Sequence, residues 1–413
     1  MTALRILHVI STLSPASGGP TQVLRELARA QASAGHRVSI CTTDRDNPVQ
    51  KRLPDSYFQE ILSEHVELKA FRVEYAPLLV SLSMAQWLRH NLRAFDIVHI
   101  HGLYRFPPTY AAWQARRLGV PYVIRAHGAL DPYLHARSSS GKLRLKGMYE
   151  RWFDLPNLHA ADAIHYTAEE ERVRASILGL RARSFIVPNG LDWARFREPP
   201  VRGTLRVRWG LGEAPLVLFL GRLHFKKGLD LLIPAFDALH RSLPEVRLVI
   251  AGPENDDYGQ QVRSWVQERG LQEAVHFVGP LEGADVVQAY VDADVFALPS
   301  YTENFGMTVA EAMACALPVV ISDQVNIHAE VSGADAGLVT RCDANEVAAA
   351  LEALLRNSER RRAMGQAGRR LVQERYSWPS IVEMLTAEYQ NIIDRHPPAD
   401  AKRRGAVVTK DER

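Results

Sequence analysis

The chain is poor in cysteine. Its 413 residues include three, Cys41, Cys315 and Cys342, at wide and unrelated spacings. An odd, unpatterned set excludes a disulfide framework, and no Cys/His cluster has zinc-site spacing. Buried thiols in a reducing compartment are the expectation. No run of about 18 apolar residues occurs, so no membrane-spanning helix is expected. The apolar run Ile6–Ile10 is too short for a signal segment and reads as a first β-strand. The G-x-G-x-x-G dinucleotide fingerprint is also missing, which disfavours a dehydrogenase. What remains is ordinary globular composition, 46% hydrophobic and 23% charged, enough for two or three domains.

The net charge of +3 conceals an asymmetry. Residues 1–198 hold 26 Lys+Arg against 18 Asp+Glu, and the remainder holds 24 against 29. The stretch 75–153 alone has 11 basic and 3 acidic residues. A basic surface on one side suggests an anionic partner.

Short apolar strands alternate with amphipathic helices throughout. Arg5–Ile10, Arg37–Thr42, Ile97–Ile100, Tyr122–Ala126, Ala163–Tyr166 and Phe185–Val187 read as strands. Thr21–Ala34 reads as a helix with Val23, Leu24, Leu27 and Gln31 on one face. Pro188-Asn189-Gly190 interrupts the pattern, and Phe196–Gly212 reads as a linker. The rhythm resumes with strands at Leu216–Leu220, Val246–Ala251, Val275–Val278, Val295–Leu298 and Pro318–Ile321. This βαβ repetition implies an α/β protein with two doubly wound, Rossmann-like domains facing across a cleft. The expected division is 1–197, 198–377, a helix at 378–395 and a disordered tail at 396–413. Ligands of such sheets sit in loops at the carboxyl ends of the strands.

Three such loops carry candidate chemistry. Ser17-Gly18-Gly19-Pro20 follows the first strand and opens a helix, which suits either a phosphate or a plain turn. Phe219–Gly228 places Arg222 and Lys227 just past a strand, as a diphosphate clamp or a solvated basic loop. Tyr301–Met313 is the strongest feature. Glu303 ends a loop and Glu311 lies inside the next helix, with seven residues between them. Ionised carboxylates accept hydrogen bonds from sugar and ribose hydroxyls. The amides of Phe305, Gly306 and Met307 would form a helix N-terminus beneath an anion.

Here the sequence resembles a known family. Gly221-Arg222…Lys227-Gly228 and Glu303…Glu311 resemble the G-R-x4-K-G and E-x7-E motifs of retaining family-4 glycosyltransferases (glycosyl transferases group 1) of the GT-B fold. Glu311–Val320 resembles their E-A-M-A-C-G-x-P-V-V, with Ala316 at the usual glycine, and Val187–Asp192 resembles their I-P-N-G-V-D. The likeness runs over about residues 4–395 and is tighter in the second half.

The resemblance implies roles. Arg222 and Lys227 would bind the donor diphosphate, Glu303 the hydroxyls of the transferred sugar, and Glu311 the ribose. Val278 to Leu281, Gly279 and Leu281 among them, would meet the base largely through backbone, with Asn304, Phe305, Gly306 and Met307 completing the donor site. Gly18 and Gly19 would close over the diphosphate from the opposite domain. His127-Gly128 resembles the family's H-G loop, which puts His127 at the donor sugar. The last helix would cross back to the first domain. No metal or other cofactor is expected, although His99, His101 and His127 raise the question of a metal site. His101, Arg125, Lys142, Arg144 and Lys146 are candidates for acceptor or membrane contact, within a basic stretch carrying Trp152 and Phe153. An ordinary helix packing inward is the alternative for that stretch, and a buried histidine hydrogen-bonded to backbone is the alternative for His101 and His127.

The expected activity is retaining transfer from a nucleotide diphosphate sugar, of UDP-glucose or GDP-mannose type, to an acceptor hydroxyl. A lipid-linked saccharide in bacterial exopolysaccharide or lipopolysaccharide synthesis would be the acceptor. The rivals are an epimerase or phosphorylase on the same fold, or a non-catalytic nucleotide-sugar-binding protein. The expected location is cytoplasmic, peripheral at the inner face of the plasma membrane, with no nucleic-acid partner.

Overall fold

A computed structural model describes residues 3–14, 17, 19–46, 51–54, 56–58, 65–131, 146–254 and 257–396. Gly18, Lys142, Arg144 and the expected tail from 397 lie outside the described residues. The chain divides into two units, residues 1–190 with 378 onward, and residues 191–377.

The first unit is built on a parallel sheet of seven strands. They are β1 (Arg5–Thr12), β2 (Arg37–Thr43), β3 (Val66–Phe71), β4 (Ile97–His101), β5 (Tyr122–Arg125), β6 (Ala163–Tyr166) and β7 (Arg183–Ile186). Their order is β3-β2-β1-β4-β5-β6-β7, so the winding reverses between β1 and β4. β4 and β5 are wholly buried and β1 is buried from Ile6 to Ile10, as strands covered on both faces must be. The helix Gly19–Ser33 buries Val23, Leu24, Leu27 and Gln31, the face read from its spacing. The final helix, Trp378–Arg395, belongs to this unit. Its indole N–H donates to Glu26 (3.0 Å), and Tyr389 is fully buried. Gly190 permits this docking, because a Cβ there would lie 2.2 Å from the Trp378 ring. His396, expected in the tail, instead pairs with Asp162 (2.7 Å).

The second unit has a parallel sheet of six strands. They are β8 (Leu216–Leu220), β9 (Arg247–Ala251), β10 (Val275–Gly279), β11 (Val295–Leu298), β12 (Val319–Ser322) and β13 (Gly337–Thr340). The order β10-β9-β8-β11-β12-β13 reverses between β8 and β11.

The expected linker, Phe196–Gly212, is a correction. It forms helical turns at Ala194–Arg197 and Thr204–Arg208 that bury Phe196 and Leu205. Asp292, fully buried, accepts the N–H groups of Gly203, Leu205 (2.7 Å) and Arg206. The Arg206 guanidinium pairs with Asp294 (2.9 Å) and donates to the carbonyls of Gly212 and Ala214. These bonds make the segment part of the second unit. The change of unit therefore falls at Gly190–Leu191, ahead of residue 197, and Leu191 donates to Tyr376 O (2.7 Å). Among the described residues no helix is long and apolar enough to cross a membrane.

Candidate active site

In the second unit the chemistry gathers where the strand order reverses. β8 ends at Leu220, and the chain passes Gly221 and the exposed Arg222 into a tight turn, Phe225–Lys227. β11 ends at Leu298 and leads through Tyr301 to Glu303. The two loops are tied together: Tyr301 N–H donates to Lys226 O (2.8 Å), and the Tyr301 hydroxyl donates to Asp230 (2.8 Å). Glu303 is zipped to the segment after β12, its N–H donating to Gln324 O and its carbonyl accepting from Asn326. With both backbones fixed, the Lys227 ammonium and the Glu303 carboxylate form an ion pair. Both side chains are partly exposed, at 23% and 19%, so the pair stays within reach of a ligand.

Beside it the helix Met307–Ala314 opens at Gly306. Phe305 is buried against the Tyr376 ring, so its amide rather than its side chain is available to a ligand. Glu311 is buried and accepts the Tyr290 hydroxyl (2.9 Å). Burial and that carboxylate push the Tyr290 phenol well up, keeping it a donor. Gly279 ends β10 and Leu281 follows it, and Gly279 O accepts from Gly252 N–H (2.8 Å). Asn304 and Met307 are half-buried in the same loop and helix start.

The helix ends in a strained residue. Ala316, where the family motif has glycine, sits at φ 57°, in the left-handed region. Ala316→Gly is expected to stabilise the second unit by about 0.5–1 kcal/mol, the strain relieved less the added freedom of the unfolded chain. A urea midpoint at or below that of the parent would refute this.

In the first unit, Gly19 opens the helix after β1, and His127 follows β5 in a strained backbone conformation, φ 52°. Glu171 anchors this loop, accepting from Gly128 N–H (3.1 Å) and from Thr167 N–H (2.7 Å). Behind it lies Arg125, 1% exposed and donating to Asn189 of the Pro188-Asn189-Gly190 turn. Burial lowers its guanidinium to about 10. Arg125 is therefore corrected from a surface cation to a buried one. His101, also 1% exposed, is bonded to other histidines and is corrected likewise from acceptor contact.

The nitrogens of His8, His99 and His101 lie within 4.8 Å of one another, a different trio from the one the sequence suggested. Their ring nitrogens are already engaged in hydrogen bonds, and the Arg125 charge disfavours another cation. Burial drives His8 down to about 4 and holds His99, His101, His127 and His165 well below the usual imidazole range, so all five are neutral near pH 7. His8, His165 and Tyr389 were not singled out from the sequence, and Gln31 was read there only as part of a helix face.

Lys146 is half-buried, its ammonium 4.3 Å from the Tyr104 ring centre. The following turn is inside out for an ordinary helix. Glu150 and Asp154 are buried, while Trp152 and Phe153 are 69% and 53% exposed. Asp154 accepts from Tyr104 N–H (2.8 Å) and the Thr109 hydroxyl (2.7 Å), and burial raises it to about 6.

Comparison with known proteins agrees with this geometry. Residues 17–195 match the family described as Glycosyltransferase Family 4, and residues 202–371 match Glycosyl transferases group 1. The D-inositol 3-phosphate glycosyltransferase of Kineococcus radiotolerans is 30% identical over 335 residues, 74% of this chain and 73% of that protein. A GDP-mannose-dependent alpha-(1-6)-phosphatidylinositol monomannoside mannosyltransferase of Mycolicibacterium smegmatis is 32% identical over 53% of this chain and 59% of its own length. Among solved structures, Anabaena HepE in complex with UDP and glucose superposes with a TM-score of 0.73 at 18% identity, covering 94% of this chain and 100% of that one. WaaG, a glycosyltransferase involved in lipopolysaccharide biosynthesis, gives 0.68 at 19% identity over 92% and 99%. These likenesses show the two-domain GT-B fold.

Proposed function

The chain belongs to the glycosyl transferases group 1 family, its first half matching glycosyltransferase family 4, and from that membership we propose that it transfers a hexose, with retention, from a nucleotide diphosphate sugar to an acceptor hydroxyl. The observation that carries the proposal is the Lys227–Glu303 pair at the strand-order reversal of the second unit. In the free protein each neutralises the other. With donor present, Lys227 and Arg222 turn to the diphosphate, and Glu303 accepts from hydroxyls of the sugar. Fixed cations and the amides of Phe305 to Met307 then stabilise charge as the nucleotide departs, without reorganisation at the moment of reaction. Glu311 takes the ribose hydroxyls while held by Tyr290. In this reading the departing phosphate oxygen removes the acceptor proton on the same face, so no separate general base is required.

In this reading UDP and GDP donors are both candidates. The names of the relatives include a GDP-mannose-dependent enzyme, and HepE is described with UDP and glucose. The deciding experiment is a hydrolysis and binding screen of the protein against UDP-, GDP- and ADP-sugars. Turnover of one class, surviving EDTA, is the expected result, because cationic side chains take the place of a divalent ion. Turnover of none, or a strict need for Mg²⁺ or Mn²⁺, would overturn the respective part of the reading.

For the acceptor we favour a lipid-linked saccharide at an anionic membrane surface. The support is the inverted turn, with Trp152 and Phe153 outward and Glu150 and Asp154 inward, in a basic stretch of chain. Trp152→Ser with Phe153→Ser is expected to reduce cosedimentation with anionic vesicles several-fold and leave donor hydrolysis unchanged. Binding of the wild type should weaken with salt. Equal sedimentation of both proteins would remove the membrane from the proposal.

A further inference from the structure

Five histidines, one glutamine and one tyrosine of the first unit form a single run of hydrogen bonds whose direction is fixed at one end. His165 Nε2 lies 2.8 Å from the carbonyl oxygen of Val187. A carbonyl only accepts, so Nε2 carries the proton and, in a neutral ring, Nδ1 is bare. His99 Nε2 is 3.3 Å from that Nδ1 and must donate to it. His99 Nδ1 is then an acceptor, and the Tyr389 hydroxyl donates to it at 2.6 Å. The hydroxyl oxygen in turn accepts from the Gln31 amide N–H at 3.5 Å. That orients the amide oxygen toward His8 Nε2, 2.7 Å away, which donates. His8 Nδ1 accepts from His101 Nε2 (3.0 Å), and His101 Nδ1 accepts from His127 Nε2 (3.0 Å). His127 Nδ1 is the one ring nitrogen of the five without a hydrogen bond among the described residues.

We infer that this buried run is a tautomer lock, which holds His127 as the Nε2–H form and presents its Nδ1 lone pair to a hydroxyl of the transferred sugar. His101, His8, Gln31, Tyr389, His99 and His165 are its positioning residues. Neutral rings are a requirement of the lock, and deep burial beside the Arg125 cation supplies it. The run does not conduct protons. Its far end is a carbonyl that cannot pass one on, so each bond can only fix the next. The strained backbone of His127 aims the ring, and the lock decides which nitrogen is bare. Identifying the partner as a sugar hydroxyl rests on the proposed function, whereas the tautomer itself does not.

Nitrogen-15 NMR of histidine-labelled protein tests the lock directly. The wild type should show His127 protonated at Nε2 alone, and an Nδ1–H form would overturn the inference whatever the variants do. Tyr389→Phe removes the one O–H in the run, freeing the Gln31 amide to turn over. His127 should then show both tautomers, and kcat/KM for donor hydrolysis should fall about tenfold, the worth of one misdirected hydrogen bond. Adding Gln31→Glu to that variant puts an acceptor-only carboxylate beside His8 and should restore the Nε2–H form, a recovery that a packing role for Tyr389 would not produce. An unchanged His127 spectrum in Tyr389→Phe, or no recovery in the double variant, would overturn the lock. Expected spectra in a protein that turns over no donor would sustain the lock and refute the sugar.

Discussion

Lys227→Ala is expected to lower donor turnover by about 2–4 kcal/mol in barrier, roughly thirty- to a thousand-fold, with the fold intact. Two effects combine. The diphosphate loses a cation whose contact strengthens as negative charge develops on the leaving group. The same change strips Glu303 of its partner, so a carboxylate with its side chain 19% exposed then faces the incoming anion uncompensated. KM should therefore rise along with the fall in kcat. Glu303→Gln separates the two. It removes the repulsion and keeps the cation, so it should alter sugar recognition more than diphosphate affinity. Because the pair is partly screened by solvent, its loss should cost little stability. Donor hydrolysis kinetics with circular dichroism make the check, and wild-type turnover in Lys227→Ala would sink the assignment.

Gly228→Ala is expected to destabilise the second unit by about 3 kcal/mol or more. Gly228 sits at φ 69°, and a Cβ there would lie 1.9 Å from the carbonyl oxygen of Pro299. That is backbone against backbone, between the loops leaving β8 and β11, so no flexible side chain can give way. Relief requires moving either Lys227 or the loop leading to Glu303, and donor turnover should fall with stability. Gly270→Ala is the control. It shares the conformation, φ 68°, but a Cβ there meets nothing within 4 Å. It should cost only about 1 kcal/mol, the strain alone. Chemical denaturation of both variants tests this, and equal midpoints would show that the close approach of the two loops does not govern stability.

Most of the fold was legible in the sequence because strands buried on both faces are continuous apolar runs. Ala163–Tyr166, Leu216–Leu220 and Val295–Leu298 lie where the sequence puts them. β3 and β13 were not legible. β3, Val-Glu-Leu-Lys-Ala-Phe, is an edge strand with mixed exposure, and β13 is four residues opening with glycine. Arg206 shows a different limit. In the sequence it is one cation in an Arg-, Pro- and Gly-rich stretch, and only the distant Asp292 and Asp294 make it a buried anchor.

The sequence by itself determined the fold class and the family motifs. Those follow from local periodicity and from residue types at fixed spacing along the chain. Tertiary structure alone decided which charges meet and which nitrogens are bare. Lys227 and Glu303 become a pair because β8 and β11 are neighbours at the reversal of winding. His8 and His101 become partners because β1 and β4 run side by side, with His8 opposite His99 and Ile10 opposite His101. Tyr389 joins them because the last helix returns to the first unit. None of these has a signal in sequence spacing, since strand order and register are fixed by long-range packing of the sheet.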